Sequence, residues 1–226
     1  MSRIQWHETG KKYYETGVSK GVLYKKNDQG TYSTGVAWNG LTAVNENPSG
    51  AEETKLFADD VKYAALRSAE DFGFTIEAYT SPAEFDECDG KASPIAGVTL
   101  GQQDRKSFGF SYVNQVKSDL EANNGYKLHL VYDATTGPSQ VSRSTINDSP
   151  DAITFSWECA TSPVEVAGFK PTAHIVIDST KLDQAGKTAL AALEAILYGG
   201  EKADPTLPTP DVVLSTMGYT YTPSGT

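Results

Sequence analysis

A short internal echo constrains this chain more than any other feature. Residues 68–84 read SAEDFGFTIEAYTSPAE and residues 149–165 read SPDAITFSWECATSPVE. They align without gaps and share Ser, Phe, Glu, Thr, Ser, Pro and Glu at equivalent positions. Side chains along a strand alternate between faces. Phe72, Phe74, Ile76 and Ala78 therefore share one face of the first copy, opposite Gly73, Thr75, Glu77 and Tyr79. In the second copy Ile153, Phe155, Trp157 and Cys159 oppose Thr154, Ser156, Glu158 and Ala160. Each copy has a core face and a wettable face, as a half-buried antiparallel sheet requires, and each stops at the same Thr-Ser-Pro. Lys55-Leu56 and Lys127-Leu128 mark strands leading into the two copies. The expectation is two similar β-hairpins in one domain, with Glu77 and Glu158 at equivalent wettable positions. Matched hairpins suit a subunit that closes a ring of strands with its neighbours. A single echo is too few for a stacked solenoid.

The chain has 226 residues, so one domain, or at most two, is expected, with a core that needs no staples. Gly, Tyr, Thr and Ser are plentiful, in keeping with an all-β chain. A net charge of −10 argues against a role in gripping phosphates. It does not exclude DNA as something repelled or slid past, and an acidic surface keeps a monomer soluble and can delay self-association. Cys88 and Cys159 form neither a C-x-x-C pair nor part of a zinc pattern. Cys159 falls on the apolar face of its strand, as a small core residue, and Cys88 falls in an acidic loop. The N-terminal MSRIQWHETG lacks an apolar signal core, and no apolar run approaches the ~20 residues of a bilayer span. Synthesis in the cytoplasm is the expectation.

Along the chain, residues 1–20 read as a polar arm carrying Trp6, Tyr13 and Tyr14. Strands are expected near Gly21–Lys25, Tyr32–Trp38, Lys55–Ala58, Asp71–Thr80, Gly97–Leu100 and Ser107–Val116. Further strands are expected near Tyr126–Tyr132, Val141–Ile146, Ala152–Ala160 and Ala173–Asp178. Residues 39–54, rich in Asn, Gly, Pro and Glu, read as a long loop, a class that is often functional. Ser81-Pro82-Ala83-Glu84 has the form of a capping box opening a helical turn. Leu182, Leu190, Leu193, Ile196 and Leu197 form the apolar stripe of one helix, begun by Thr180 or Asp183 and stopped at Gly199-Gly200. Residues 200–226, with Pro205, Pro208 and Pro210, read as a docking arm anchored by Leu207, Val212, Val213 and Leu214.

Catalytic patterns are missing. Gly186-Lys187-Thr188 follows a strand and opens a helix, but the first Gly of a phosphate loop is replaced by Lys181. His7-Glu8 lacks the second His of a zinc-protease motif. His129 and His174 fall in separate strands and read as structural residues. Glu84, Asp86, Glu87 and Asp89 lack calcium-loop spacing and read as a solvated acidic turn. No Gly-x-Ser-x-Gly elbow occurs.

Several stretches carry a family resemblance when taken in order. They are Gly35-Val-Ala-Trp-Asn-Gly-Leu41, Ser49-Gly-Ala-Glu52, Phe57-Ala-Asp59, Lys62-Tyr63, Pro82-Ala-Glu-Phe85 and Cys88-Asp-Gly90. Next come Gly101-Gln-Gln-Asp-Arg105, Phe108-Gly-Phe-Ser-Tyr112, Tyr126-Lys-Leu-His-Leu-Val-Tyr132, Ile146-Asn-Asp-Ser-Pro150 and Phe155-Ser-Trp157. Pro171-Thr-Ala-His-Ile175, Ile177-Asp-Ser179, Leu197-Tyr-Gly199 and Leu207-Pro-Thr-Pro210 complete the set. Their order and combination, from about Gly35 to about Val213, resemble the major tail protein, or tail tube protein, of long-tailed phages and prophages of Gram-positive bacteria.

The resemblance implies a mainly β, antiparallel β-sandwich with one flanking α-helix, whose inner sheet joins neighbours into a ring. It implies a virion structural protein, not an enzyme, with no catalytic, cofactor or metal residues. Hexameric rings would stack into a tube that conducts DNA during ejection, with DNA passing without specific binding. The tape-measure protein and other tail proteins would be partners, no membrane would be involved, and assembly would occur in the host cytoplasm. A long non-contractile tail is expected. Within one domain spanning 1–226, Glu77 and Glu158 would face the lumen. Trp38, Asn39 and Leu41 would make subunit or ring contacts, with the 39–54 loop reaching a neighbour and the arms 1–20 and 200–226 aiding stacking. Two readings compete. One is a carbohydrate-binding β-sandwich using exposed Tyr and Trp; the other is a different tail part of related fold, such as a tail terminator or baseplate hub. A hydrolase on a β-sandwich has no motif behind it.

Overall fold

The computed structural model describes residues 3–146, 151–201 and 203–222. The strands are β1 (Tyr13–Lys25), β2 (Val36–Trp38), β3 (Leu41–Glu46), β4 (Ser49–Gly50), β5 (Glu53–Ala58), β6 (Val61–Arg67) and β7 (Glu70–Asp71). They continue with β8 (Gly73–Ala78), β9 (Ala92–Ile95), β10 (Val98–Leu100), β11 (Phe108–Ser118), β12 (Gly125–Thr136), β13 (Phe155–Thr161) and β14 (His174–Asp178). Two helices close the chain, α1 (Gln184–Tyr198) and α2 (Pro210–Thr216).

The main sheet runs β2-β1-β11-β12-β13-β8-β3, with β14 also paired to β12. It folds into two layers, because β12 meets β13 only at its end, through Ala134–Thr136 and Cys159–Thr161. One layer holds β2, β1, β11, β12 and β14; the other holds β13, β8 and β3. Between them lies an aromatic core of Trp38, Phe74, Phe85, Phe108, Phe110 and Trp157. The rings of Trp38 and Trp157 meet edge-on at 5.4 Å, and those of Phe85 and Phe108 at 5.5 Å. Such contacts add to what ring burial alone contributes. The larger layer covers its other face with the helices, where Tyr24, Leu128, Leu130 and Tyr132 pack on Leu190, Leu193 and Leu197. The protein is an antiparallel β-sandwich with a flanking helix.

Local sequence explains the helix ends. Asp183 caps α1 by accepting from the Gly186 amide at 2.8 Å, and Gly199 stops it with φ +77°. The Gly186 amide that a phosphate loop would offer to an anion is thus taken by the chain's own carboxylate. The Ser81–Glu84 segment yields a short 3-10 turn, Ala83–Phe85, preceded by Pro82 and without a side-chain cap. It carries Phe85 into the core.

Several expectations need correction. The stretch 39–54 is not a loop: it holds β3, β4 and the start of β5. Its strand character comes from pairing with β8, which overrides a composition poor in strand formers. The arm 1–20 enters the sheet at Tyr13, where β1 pairs with β11; Met1 and Ser2 lie outside the described residues. The arm 200–226 docks on its own body. Leu207 and Val213 are buried against the helix layer, whereas Val212 is exposed. Leu207 can seat because Gly109 lacks a side chain: a Cβ there would stand 2.2 Å from Leu207 Cδ2. Residues 202 and 223–226 of that arm lie outside the described residues. Val141–Ile146 forms no strand. Ser149 and Pro150 of the second echo also lie outside the described residues.

Candidate assembly surfaces

The echoed strands turn out to be neighbours. β8 and β13 pair directly and antiparallel, with Ile76 opposite Trp157, Glu77 opposite Ser156 and Thr75 opposite Glu158. Ile76 and Trp157 are equivalent in the sequence echo, so a local twofold relation passes between them. The expected two hairpins are instead one strand pair, each member flanked by a different strand, β3 beside β8 and β12 beside β13. The alternation reads as expected: Phe74, Ile76, Ala78, Trp157 and Cys159 are buried. Glu77 and Glu158 share the outer face as diagonal neighbours about the twofold.

That outer face is polar and short-chained. Asn45 Nδ2 donates to Glu77 Oε1 at 3.0 Å, and Asn47 Nδ2 donates to Thr75 Oγ1 at 3.0 Å. Glu158 is exposed, and Ser156 is half-buried. The strand positions of β3, β8 and β13 carry no Lys or Arg. Among the described residues no helix covers this layer, in contrast to the layer opposite.

A second surface grows from the same strands. The pairings β3–β8, β4–β7 and β5–β6 follow one another, so residues 41–78 form a long two-stranded ribbon. It reverses at Asp59-Asp60, both at positive φ (50° and 62°), as a two-residue hairpin of the I′ kind needs. Its outer half leaves the body. Every residue of β5, and all of β6 except Ala64, is exposed. Tyr63 is 77% exposed and Phe57 69%, with Leu56, Val61 and Leu66 also open. A lone hairpin with neither face covered is marginal in water, and a cluster of exposed apolar residues marks a place where another surface docks. The Lys62–Glu53 ion pair at 2.5 Å is a surface pair of small value. The hairpin β9–β10 also projects, with Ile95, Val98 and Leu100 open.

The contact residues chosen from sequence divide. Trp38 is 3% exposed, and its Nε1 donates to the Thr80 carbonyl at 2.8 Å, so it is a core residue and not a surface contact. Leu41 is half-buried and packs against the core. Asn39 is exposed. The surface candidates that composition hid are Phe57 and Tyr63. Their signal was a run of apolar residues around Asp-Asp, which only the pairing pattern assigns to a bare ribbon.

The acidic turn is tied down by cations. Glu87 meets Lys25 at 3.0 Å and Lys106 at 3.2 Å, and hydrogen bonds from these lysines hold its carboxyl below the usual range. Asp89 meets Lys91 at 2.6 Å and Arg105 at 3.4 Å. Cys88 and Cys159 are buried free thiols; burial pushes Cys88 up to about 12, which leaves it inert. His129 and His174, assigned to separate strands, meet within the fold beside Glu46. Among the described residues, no helix is long and apolar enough to cross a membrane.

No protein-family model matches the chain, and no curated protein matches it. Among solved structures, it is similar to a chain in the cryo-EM structure of the anti-feeding prophage (AFP) baseplate, 6-fold symmetrised. The match has 8% identity and a TM-score of 0.34, and covers 79% of this chain and 100% of that chain. A likeness of this extent fixes neither family nor function.

Proposed function

We propose that the protein is a virion structural subunit of a phage tail tube, which assembles as stacked hexameric rings and conducts DNA. The observation that carries the reading is the ribbon: a strand pair of the sandwich runs on into a hairpin with neither face covered and with apolar side chains in water. In a ring, such a ribbon lies on the next subunit, and its burial there removes both the apolar exposure and the open strand edges. The ordered sequence stretches that resemble tail tube proteins support the same assignment.

The uncovered outer face of β3, β8 and β13 is the lumen surface in this reading. It carries Glu77 and Glu158 and no cation at its strand positions. DNA phosphates passing such a wall meet no counter-charge to release ions against, so DNA slides without salt-dependent adhesion.

Negative-stain electron microscopy of the purified chain over time and at rising concentration tests the assignment. Rings or hollow tubes are the expected result. Monomers alone, persisting when the chain is co-expressed with the other tail proteins, would overturn it; glycan binding by that monomer would favour the carbohydrate-binding alternative. The lumen assignment has its own test in Glu77→Lys with Glu158→Lys. Tubes should still form, but DNA ejection should slow and become salt-dependent. Unchanged ejection would place these residues elsewhere.

A further inference from the structure

Three side chains from both layers of the sandwich converge where the ribbon leaves the body. Glu46 is the last residue of β3, His129 lies in β12 and His174 opens β14. His129 Nδ1 lies 3.1 Å from His174 Nε2 and 3.3 Å from Glu46 Oε1. One ligand atom from each residue falls within 4.8 Å of the other two. Ligand atoms about 2.05 Å from a tetrahedral zinc ion stand about 3.3 Å apart, so the two closest separations match a shared ion.

The surroundings fix the chemistry of these atoms. Asn114 Nδ2 donates to Glu15 Oε2 at 2.6 Å, which turns Asn114 Oδ1 toward His129 Nε2 at 2.8 Å. An amide oxygen only accepts, so His129 carries its proton on Nε2 and its lone pair on Nδ1. That lone pair points at a carboxylate oxygen and a second imidazole nitrogen. Without an ion, His174 Nε2–H donates to that lone pair at 3.1 Å, beside the carboxylate oxygen at 3.3 Å; an ion at the same point takes the lone pairs of both rings and of the carboxylate and displaces the His174 Nε2 proton. An outer partner that holds a histidine in the ligating tautomer is the usual support of a metal site. The rings are also clamped: Tyr112 stacks on His129 at 4.4 Å and Phe72 on His174 at 4.3 Å. Tyr112 donates its hydroxyl to Glu46 Oε1 at 2.8 Å, orienting the third ligand. His129 and Glu46 line a cleft of about 400 Å³, which gives an ion a way in and leaves room for a water as fourth ligand.

We infer that Glu46, His129 and His174 form a binding site for a divalent transition-metal ion of the zinc class. Two imidazoles and a carboxylate suit zinc and its first-row neighbours better than calcium or magnesium, which take all-oxygen shells. The ion ties β3 in one layer to β12 and β14 in the other, at the root of the ribbon. The site stands whether or not the chain forms tubes.

Calorimetric titration of the chelator-treated full chain with ZnCl₂ tests it, alongside visible absorption of the Co²⁺ form. One ion per chain should bind, with the spectrum of a tetrahedral site and a thermal midpoint raised by a few degrees. Glu46→Gln, a mild change at an exposed residue, should weaken binding at least tenfold, and His174→Ala should abolish it. His7→Ala, which removes the one imidazole outside the cluster, should change nothing. Absence of saturable binding, or an undiminished Co²⁺ spectrum in Glu46→Gln, would overturn the site. The Glu46→Gln comparison decides the matter even if His174→Ala fails to fold.

Discussion

The body of the sandwich and the ribbon that leaves it are made of the same pairing and differ in what the pairing covers. The β3–β8 ladder of the body continues, with interruptions, through β4–β7 into β5–β6. In β8, Phe74, Ile76 and Ala78 vanish into the core. Upstream in the same line, Val61, Tyr63 and Leu66 leave more than half of their surface in water. Strand pairing satisfies the backbone equally in both places. Apolar burial, at about 25 cal/mol per Å², stabilises only the first. The body is thus self-sufficient, while the ribbon lacks a layer that the described residues do not supply.

Large aromatic truncation should show the contrast most sharply. Trp38→Ala removes a ring packed on Phe85, Phe110 and Trp157 and leaves the Thr80 carbonyl without its donor. A loss of about 3–5 kcal/mol is expected from urea unfolding. A loss below about 1 kcal/mol would mean that the body is packed as loosely as the ribbon.

Acid should come next and act on the body alone. With chelator present, burial and the neighbouring His174 hold His129 down at about 4 in the fold, against about 6.5 unfolded. The unfolded chain takes up the proton first as pH falls. Stability from the neutral imidazole is therefore complete above about pH 6.5 and is lost between there and about pH 4, by about 3 kcal/mol at most. Urea midpoints across this window should fall more steeply in the wild type than in His129→Gln. Equal slopes would remove His129 as the cause.

The smallest effect on stability should come from the ribbon. Phe57→Ser with Tyr63→Ser should change the unfolding free energy of the monomer by no more than about 0.5 kcal/mol, as for surface changes generally. The same pair should abolish tube formation in electron micrographs. Normal tubes from this variant would break the link between the bare ribbon and assembly.

What could be read in advance follows from where the physics is local. The alternation in Phe74-Thr-Ile-Glu-Ala78 and Trp157-Glu-Cys159 gives strand and face together, and both proved right. The helix stripe from Leu182 to Leu197, its cap at Asp183 and its stop at Gly199 are equally local signals. β3 was hidden because Asn, Gly, Pro and Glu around it speak for a loop, and its strand state is imposed by β8. Val141–Ile146 has only Val141 and Ile146 as apolar residues, on opposite faces of any strand, and it forms no strand. Trp38 was chosen as a contact, yet an aromatic residue's ring says nothing about which side of a sheet it takes. The pair His129–His174 depends on the register of β12 on β14, where Val131 meets His174. That register joins residues 45 apart, which no short-range pattern encodes.

Hydrogen–deuterium exchange of the ribbon amides, in the isolated subunit and in assembled material, tests the central claim most directly. The account predicts that β5–β6 exchanges at the earliest times in the monomer while β11–β12 stays protected, and that β5–β6 gains protection on assembly. A ribbon already as protected as β11–β12 in the monomer, or still open in assembled tubes, would contradict it.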